Sequence, residues 1–365
     1  MPFSRYMEIC LYDPSGGYYS RNAEQFGKAG DFYTSSDVHA VFGRLLARQC
    51  DQMWQALDRP PEIEILELGP GRGLFARDVL DWSNKKFPDF FASLTYTLQE
   101  SSPALRAKLQ DTLENRLASG KAIIPVESPE ERPTIHRSLP PDAPLIVFAN
   151  EFFDALPVEI LGTAGKLHIA LENNRLHETW LPPLDEELEF LDRYGVHPEA
   201  GERIEVSIPA QSWIWKIARA IAHGFLLIID YGYTRNEQLA GRHRGTLMAY
   251  RHHSASPDPY QAPGEQDLTA HVNFTALAAA CEQAGMQVEK LLTQSQFLMG
   301  IGERNEFADA FEDCRLPQER MKVTLQLKHL VTPIGMGENF QVLMASRGVN
   351  PERIKSLSGQ RFRAI

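Results

Sequence analysis

With 365 residues, the chain has length for one large or two small domains and an ample buried core. A hydrophobic fraction of 43% with 23% charged residues is that of a soluble globular protein. A formal net charge of −11 argues against nucleic acid, whose phosphates need a basic face, and leaves a cationic partner open.

Cys10, Cys50, Cys281 and Cys314 lie far apart with no ligand spacing, so no zinc site is expected and a reducing compartment is. The start carries no leader pattern. The longest apolar run, Phe225 to Ile229, is too short to span a bilayer. A cytoplasmic protein is expected; if the source is an organelle, a transit segment is expected to be already absent.

Residues 1–37 mix aromatics with glycines, as in Tyr12-Asp13-Pro14-Ser15-Gly16-Gly17-Tyr18-Tyr19, and read as an ordered, loop-rich cap. Ser36 or Asp37 then caps a helix through Val41, Leu45, Leu46, Cys50, Met53 and Trp54.

The stretch from Ile63 to Leu68 is apolar on both faces, as in a fully buried strand. It breaks into Gly69-Pro70-Gly71-Arg72-Gly73, and Phe75, Val79 and Trp82 continue at helical spacing. Strand, glycine turn and helix begin an open α/β sheet whose first crossover loop meets a ligand. The glycines are spaced more tightly than in the dinucleotide fingerprint and follow an acidic strand end. That suits a cationic ligand without phosphate, such as S-adenosylmethionine.

A second strand, Leu94 to Glu100, also ends in an acid, and Glu100 is placed to accept from both ribose hydroxyls. Ser102-Pro103 starts a helix with Leu105, Leu109, Leu113 and Leu117 on one face. Ala122–Val126 and Pro133–Arg137 both qualify as the third strand. Leu145 to Ala149 is another buried strand, running into Asn150-Glu151-Phe152-Phe153-Asp154-Ala155-Leu156-Pro157. Asn150 and Glu151 are candidates for orienting an acceptor; the competing structural reading makes Asn150 a helix cap and the two acids first-turn residues.

Residues 160–213 read as a mostly antiparallel insertion that shapes the substrate pocket, and Ile214–Ala222 as a helix. Phe225 to Ile229 is a strand ending in Asp230, and 232–272 is a long loop. His252-His253 lack ligand spacing, and His271 reads as a hydrogen-bonded loop histidine. Asn273 caps a helix to Gly285. Met286–Leu292 and Phe340–Ser346 then form an antiparallel sheet edge, on either side of a helical segment, Glu306–Leu330.

Together, Tyr12-Asp13-Pro14, Gly30-Asp31-Phe32, Glu67 through Gly73, Asn150 through Pro157, Asp230-Tyr231-Gly232, Leu268 through Val272 and Met336-Gly337-Glu338 resemble the successive signatures of the MidA-like class I methyltransferases. The likeness departs at Tyr33–Asp37 and at a lengthened Glu127–Arg137.

The resemblance implies a Rossmann-like, seven-stranded α/β sheet that binds S-adenosyl-L-methionine. It also implies a protein arginine acceptor, as in the mitochondrial members that serve respiratory complex I assembly. The expected organisation is a cap (1–45), a methyltransferase core (46–159 and 214–347) and the 160–213 insertion, with further insertions at 232–272 and 303–333. Cofactor contacts are expected from Glu67, Gly69, Gly71, Gly73 and Glu100, lid contacts from Asp31 and Thr34, and acceptor orientation from Asn150 and Glu151. No metal is expected. Three other readings compete: a small-molecule methyltransferase, a cofactor-binding assembly chaperone that needs no turnover and, more remotely, a nicotinamide dehydrogenase.

Overall fold

The computed structural model describes residues 1–21, 40–125, 134–251, 254–350 and 353. Asp31, Thr34, the Ser36–Asp37 cap and His252-His253 lie outside the described residues.

Phe3–Tyr12 forms helix α1, where a loop was expected. Phe3, Tyr6, Met7, Cys10 and Leu11 make one buried stripe, which the aromatic and glycine content had disguised. Helix α2 (Ala40–Ala56) buries the predicted face, and strand β1 (Ile63–Leu68) is buried throughout. Helix α3 (Leu74–Lys86) is followed by an unforeseen helix α4 (Pro88–Ser93), with proline in its first turn.

Strand β2 (Leu94–Gln99) leaves Glu100 just past its end. Helix α5 (Pro103–Thr112) is capped by Ser102, whose Oγ accepts from the Leu105 amide at 3.2 Å. The predicted leucine face breaks at Leu113 into helix α6 (Glu114–Ala118). Strand β3 is Ala122–Ile123, which settles the third strand, since residues 134–137 form none.

After β4 (Leu145–Asn150) come β5 (Glu159–Gly162), β6 (Gly165–Glu172), β7 (Arg175–Leu181), α7 (Asp185–Tyr194) and β8 (Ile204–Val206). Their sheet runs β7-β6-β5-β8, antiparallel throughout. Helix α8 spans Ile208–Ala220, and β9 (Gly224–Tyr233) runs on past Asp230.

The expected 232–272 loop instead holds helix α9 (Arg235–Leu239) and strands β10 (Met248–Arg251), β11 (Ser254–Ser256) and β12 (Asp267–Thr269) in a three-stranded sheet. Strand β13 (Val272–Asn273) leads into helix α10 (Phe274–Gln283), where Asn273 Oδ1 accepts from the Ala276 amide at 3.0 Å. The remainder is β14 (Gln287–Val288), β15 (Leu292–Thr293), α11 (Gln294–Gly302), α12 (Ala308–Phe311), α13 (Pro317–Val331) and β16 (Phe340–Arg347). The single helical segment expected at Glu306–Leu330 is thus divided.

The central sheet follows β14-β16-β9-β4-β1-β2-β3, with β13 beside β9 and β15 beside β16. The anticipated seven-stranded path is present, with two short strands added. Pairings of β1 with β2 and β4, of β2 with β3 and of β4 with β9 are parallel; β14 and β15 run antiparallel to β16 and make the expected edge. Leu68 lies opposite Gln99 and Ala149, and Asn150 opposite Ile229. The carboxyl ends of β1, β2 and β4 are therefore level, with β9 running on past them, where the order turns back between β1 and β4, the place open α/β sheets hold ligands.

The chain divides into two compact units. One comprises Met1–Tyr33, Glu151–Trp215 and Asp230–Ala280; the other comprises Thr34–Asn150, Lys216–Ile229 and Cys281–Ile365. In the first, α1 packs with Val158, Ile160, Leu167, Ile169 and Leu268 in one core. In the second, Phe75 on α3 stacks on Phe148 of β4 at 4.4 Å between centroids.

The second unit is also pinned by Asp309, which is 1% exposed. Arg48 grips both its carboxylate oxygens, Trp82 Nε1 donates to Oδ1 at 3.1 Å and Asn305 to Oδ2 at 2.7 Å. Burial pushes its pKa up, but the Arg48 bond and charge, with Asn305 and Trp82, outweigh that and hold it below the usual carboxylate value. Its contribution is therefore full above the unfolded pKa and is lost as pH falls through the lower, folded one. Asp309→Ala strands the guanidinium and the indole N–H and is expected to cost about 3 kcal/mol in urea denaturation at pH 7. A loss under about 1 kcal/mol would show the cluster to be ornamental.

Candidate functional site

The glycine turn is built for close approach. Gly69, Gly71 and Gly73 have φ of 65, 55 and 75°, the left-handed region that side chains disfavour. The Gly69 amide donates to Gln99 O at 3.0 Å, tying the turn to the end of β2. The glycines then differ in role. A Cβ on Gly73 would meet Leu109 Cδ1 at 2.4 Å, so that glycine lets α5 pack; a Cβ on Gly71 would meet nothing within 4 Å and faces open space.

Glu100 closes the arrangement. Its Oε2 accepts from the Gly71 amide at 3.1 Å and its Oε1 from the Ser102 amide at 2.9 Å. Glu67, 4% exposed, accepts from Tyr96 Oη at 2.8 Å. Burial pushes the Glu67 pKa up to about 8; the Tyr96 bond opposes this and the Glu100 charge adds to it. The structure thus brings together Glu67, the three glycines and Glu100. An open-faced turn between two acids, one of them buried with no ion-pair partner among the described residues, fits a positively charged nucleoside that carries no phosphate.

In the other unit, Glu151 follows the last residue of β4 with φ of 50°, uncommon for a residue with a Cβ. No helix follows it, so the reading of Asn150 as a helix cap is not what the backbone does. The chain turns instead around Asp230, which is fully buried. Asp230 Oδ2 accepts from the amides of Phe152, Phe153 and Asp154 at 3.2, 2.9 and 3.3 Å, and Oδ1 from Tyr231 at 2.8 Å. Burial, then the Asp154 and Glu151 carboxyls, push Asp230 well above the ordinary value; the Phe153 and Tyr231 amides pull against them. Burial and then Glu151 push Asp154 up to about 7.

Asp230 carries the turn, a role the sequence reading did not give it. Its signal was available, since it is the third acid found at the tip of a buried strand. His271 has Nδ1 at 3.3 Å from His243 Nδ1, and burial with that neighbour lowers it to about 4, so it is neutral near pH 7. Among the described residues no group of three or more His, Cys, Asp or Glu is arranged to hold a metal, and no helix is long and apolar enough to cross a membrane.

Comparison with known proteins bears on this geometry. A family model for S-adenosyl-L-methionine-dependent methyltransferases matches residues 45–292. The zebrafish (Danio rerio) mitochondrial protein arginine methyltransferase NDUFAF7 is 30% identical, over 93% of this chain and 81% of its own. The human (Homo sapiens) protein of that name is 26% identical, over 92% and 78%. A crystal structure from Burkholderia thailandensis, bound to S-adenosyl-homocysteine, superposes with a TM-score of 0.81 at 28% identity, covering 96% of this chain and 88% of that one. The chain accordingly belongs to the family of S-adenosyl-L-methionine-dependent methyltransferases and is an enzyme that uses that cofactor.

Proposed function

We propose that the enzyme methylates an arginine side chain of a protein, a respiratory complex I subunit or its equivalent, in support of assembly. The observation that carries the reading is the gathering of carboxyls at Glu151, Asp154 and Asp230 just past β4, where burial and then the neighbouring acids raise Asp154 and Asp230. The likeness to enzymes named protein arginine methyltransferases supports the same acceptor.

Glu67, Gly69, Gly71, Gly73 and Glu100 would hold the cofactor, with Glu67 regaining its charge beside the ligand's ammonium. Asp31 and Thr34 stay as lid candidates. Bound there, S-adenosylmethionine supplies a methyl group on a sulfonium. Transfer forms an N–C bond at the acceptor and breaks the S–C bond; the sulfonium electron pair returns to a thioether and the guanidinium gives up a proton. Glu151, with Asn150, orients the guanidinium fork and takes that proton. Arginine needs such help because its pKa lies above about 12.

The relatives' names are mitochondrial. The compartment proposed here is the matrix for a eukaryotic chain and the cytoplasm otherwise, and the four free thiols fit either.

Mass spectrometry of purified complex I subunits incubated with the enzyme and methyl-labelled cofactor tests the function. Label on arginine supports it. Label confined to the small-molecule fraction would replace it with small-molecule methylation, and no label anywhere would leave the chaperone reading.

Glu67→Gln tests the cofactor assignment. A folded pKa raised to about 8 means Glu67 contributes stability that is full below its unfolded pKa and is lost as pH rises to about 8. The glutamine variant should therefore show a flatter profile of melting temperature between pH 5 and 8. Its affinity for S-adenosylhomocysteine should fall at least about tenfold, the worth of one charge-assisted bond. Unchanged affinity would remove Glu67 from the site.

A further inference from the structure

We propose that Asp154 is the carboxylate that receives the cationic end of the acceptor, with Tyr19, Tyr231 and Tyr250 as its aromatic neighbours. This rests on the arginine reading above and deepens it, since there only Asn150 and Glu151 were given to the acceptor.

The backbone and side chain of Asp154 do different work. Its N–H donates to Asp230 Oδ2 at 3.3 Å and its carbonyl accepts from the Ala270 amide at 2.9 Å, so the main chain secures the turn. The side chain is 7% exposed, and its Oδ1 has no hydrogen-bond partner. A buried carboxylate oxygen left unpaired costs free energy, and such atoms are few in native proteins.

Among the described residues, the side chains that feel its charge include acids and phenols, while the Ala155 amide bonds its carboxyl. Glu151 and Asp230 are the neighbouring carboxyls; burial and then these acids raise Tyr231, and burial with Asp154 and Asp267 raises Tyr250 and Tyr19. All three tyrosines are half-buried. Tyr19 is held in place: its Oη donates to Asp267 Oδ1 at 2.9 Å and its ring stacks on Tyr12 at 5.6 Å. Carboxylates with tyrosines as neighbours suit a flat, delocalised cation, which can pair in its plane and stack on a ring. A guanidinium offers both a planar, bidentate fork and a stacking face, whereas an ammonium is a point charge that cannot pair bidentately.

The test uses the full chain saturated with S-adenosylhomocysteine and titrated with N-acetyl-arginine methylamide, followed by NMR or calorimetry, with the lysine analogue as control. Asp154→Asn should weaken arginine-amide binding at least tenfold and leave S-adenosylhomocysteine affinity unchanged. It should also melt no lower than wild type at pH 8, because it removes a charge whose stability contribution is lost as pH rises to about 7. Wild-type affinity for the amide should climb as pH rises through about 7, with the variant flat.

Equal binding by Asp154→Asn, or a loss of binding together with a marked fall in melting temperature, would overturn the assignment; the second result is what a purely structural carboxylate predicts. The two proposals fail separately. A labelled protein arginine whose KM is indifferent to Asp154→Asn sinks the Asp154 assignment alone. Asp154-dependent binding of the amide with no arginine ever methylated sinks the reaction alone.

Discussion

Asp230→Asn is expected to destabilise the protein by about 3 kcal/mol and to abolish methyl transfer. The carboxylate accepts four backbone amides, three on one oxygen and one on the other. Asparagine offers a single oxygen, so at least one buried N–H must face an NH2 group, at about 1–3 kcal/mol, and charge assistance to the rest is lost. The adjoining acids act in the opposite direction, since burial and their charge push Asp230 upward. Even with its pKa raised, Asp230 presents two oxygens to four amides fixed by the turn, and asparagine cannot accept at both positions. Urea denaturation at pH 7 decides the sign. A variant as stable as wild type would mean that Asp230 is protonated and that the turn holds without its charge.

Glu151→Gln should lower single-turnover methyl transfer by about 10²–10³, within the range ascribed to a lost proton acceptor, with cofactor affinity kept within about twofold. The variant preserves shape but exchanges one acceptor oxygen for an NH2 donor and removes the charge and the basicity. Glu151→Gly separates chemistry from backbone strain. At φ of 50° a Cβ costs about 1 kcal/mol, so glycine should stabilise the fold while transfer stays lost. A glutamine variant that transfers at near wild-type rate would take Glu151 out of the chemistry, however strained its backbone.

The contrast between these two acids shows where sequence reading reached and where it stopped. Glu151 stood out because it follows a buried strand directly, and Glu67 and Glu100 for the same reason. Asp230 sits at an equivalent tip, yet its partners lie 76 to 78 residues earlier in the chain. Nothing in the local pattern around Tyr231-Gly232 says which amides will come to it. Likewise α1 was hidden by its aromatic composition, and 232–272 looked like a loop because its strands are only three or four residues long. Strands that short carry too few alternations to register as a period.

What the sequence determined by itself is the alternation of buried strands and amphipathic helices, the left-handed glycine turn, and the caps at Ser102 and Asn273. Each is decided within a few residues by sterics, burial pattern or a side chain's reach to its own backbone. Tertiary structure alone decided that β4 lies between β1 and β9, that one carboxylate gathers the turn that follows a neighbouring strand, and that Asp154 is buried beside Asp230. Those arrangements depend on sheet order and on the burial of charge among other charges, and both act between residues that the chain itself keeps far apart.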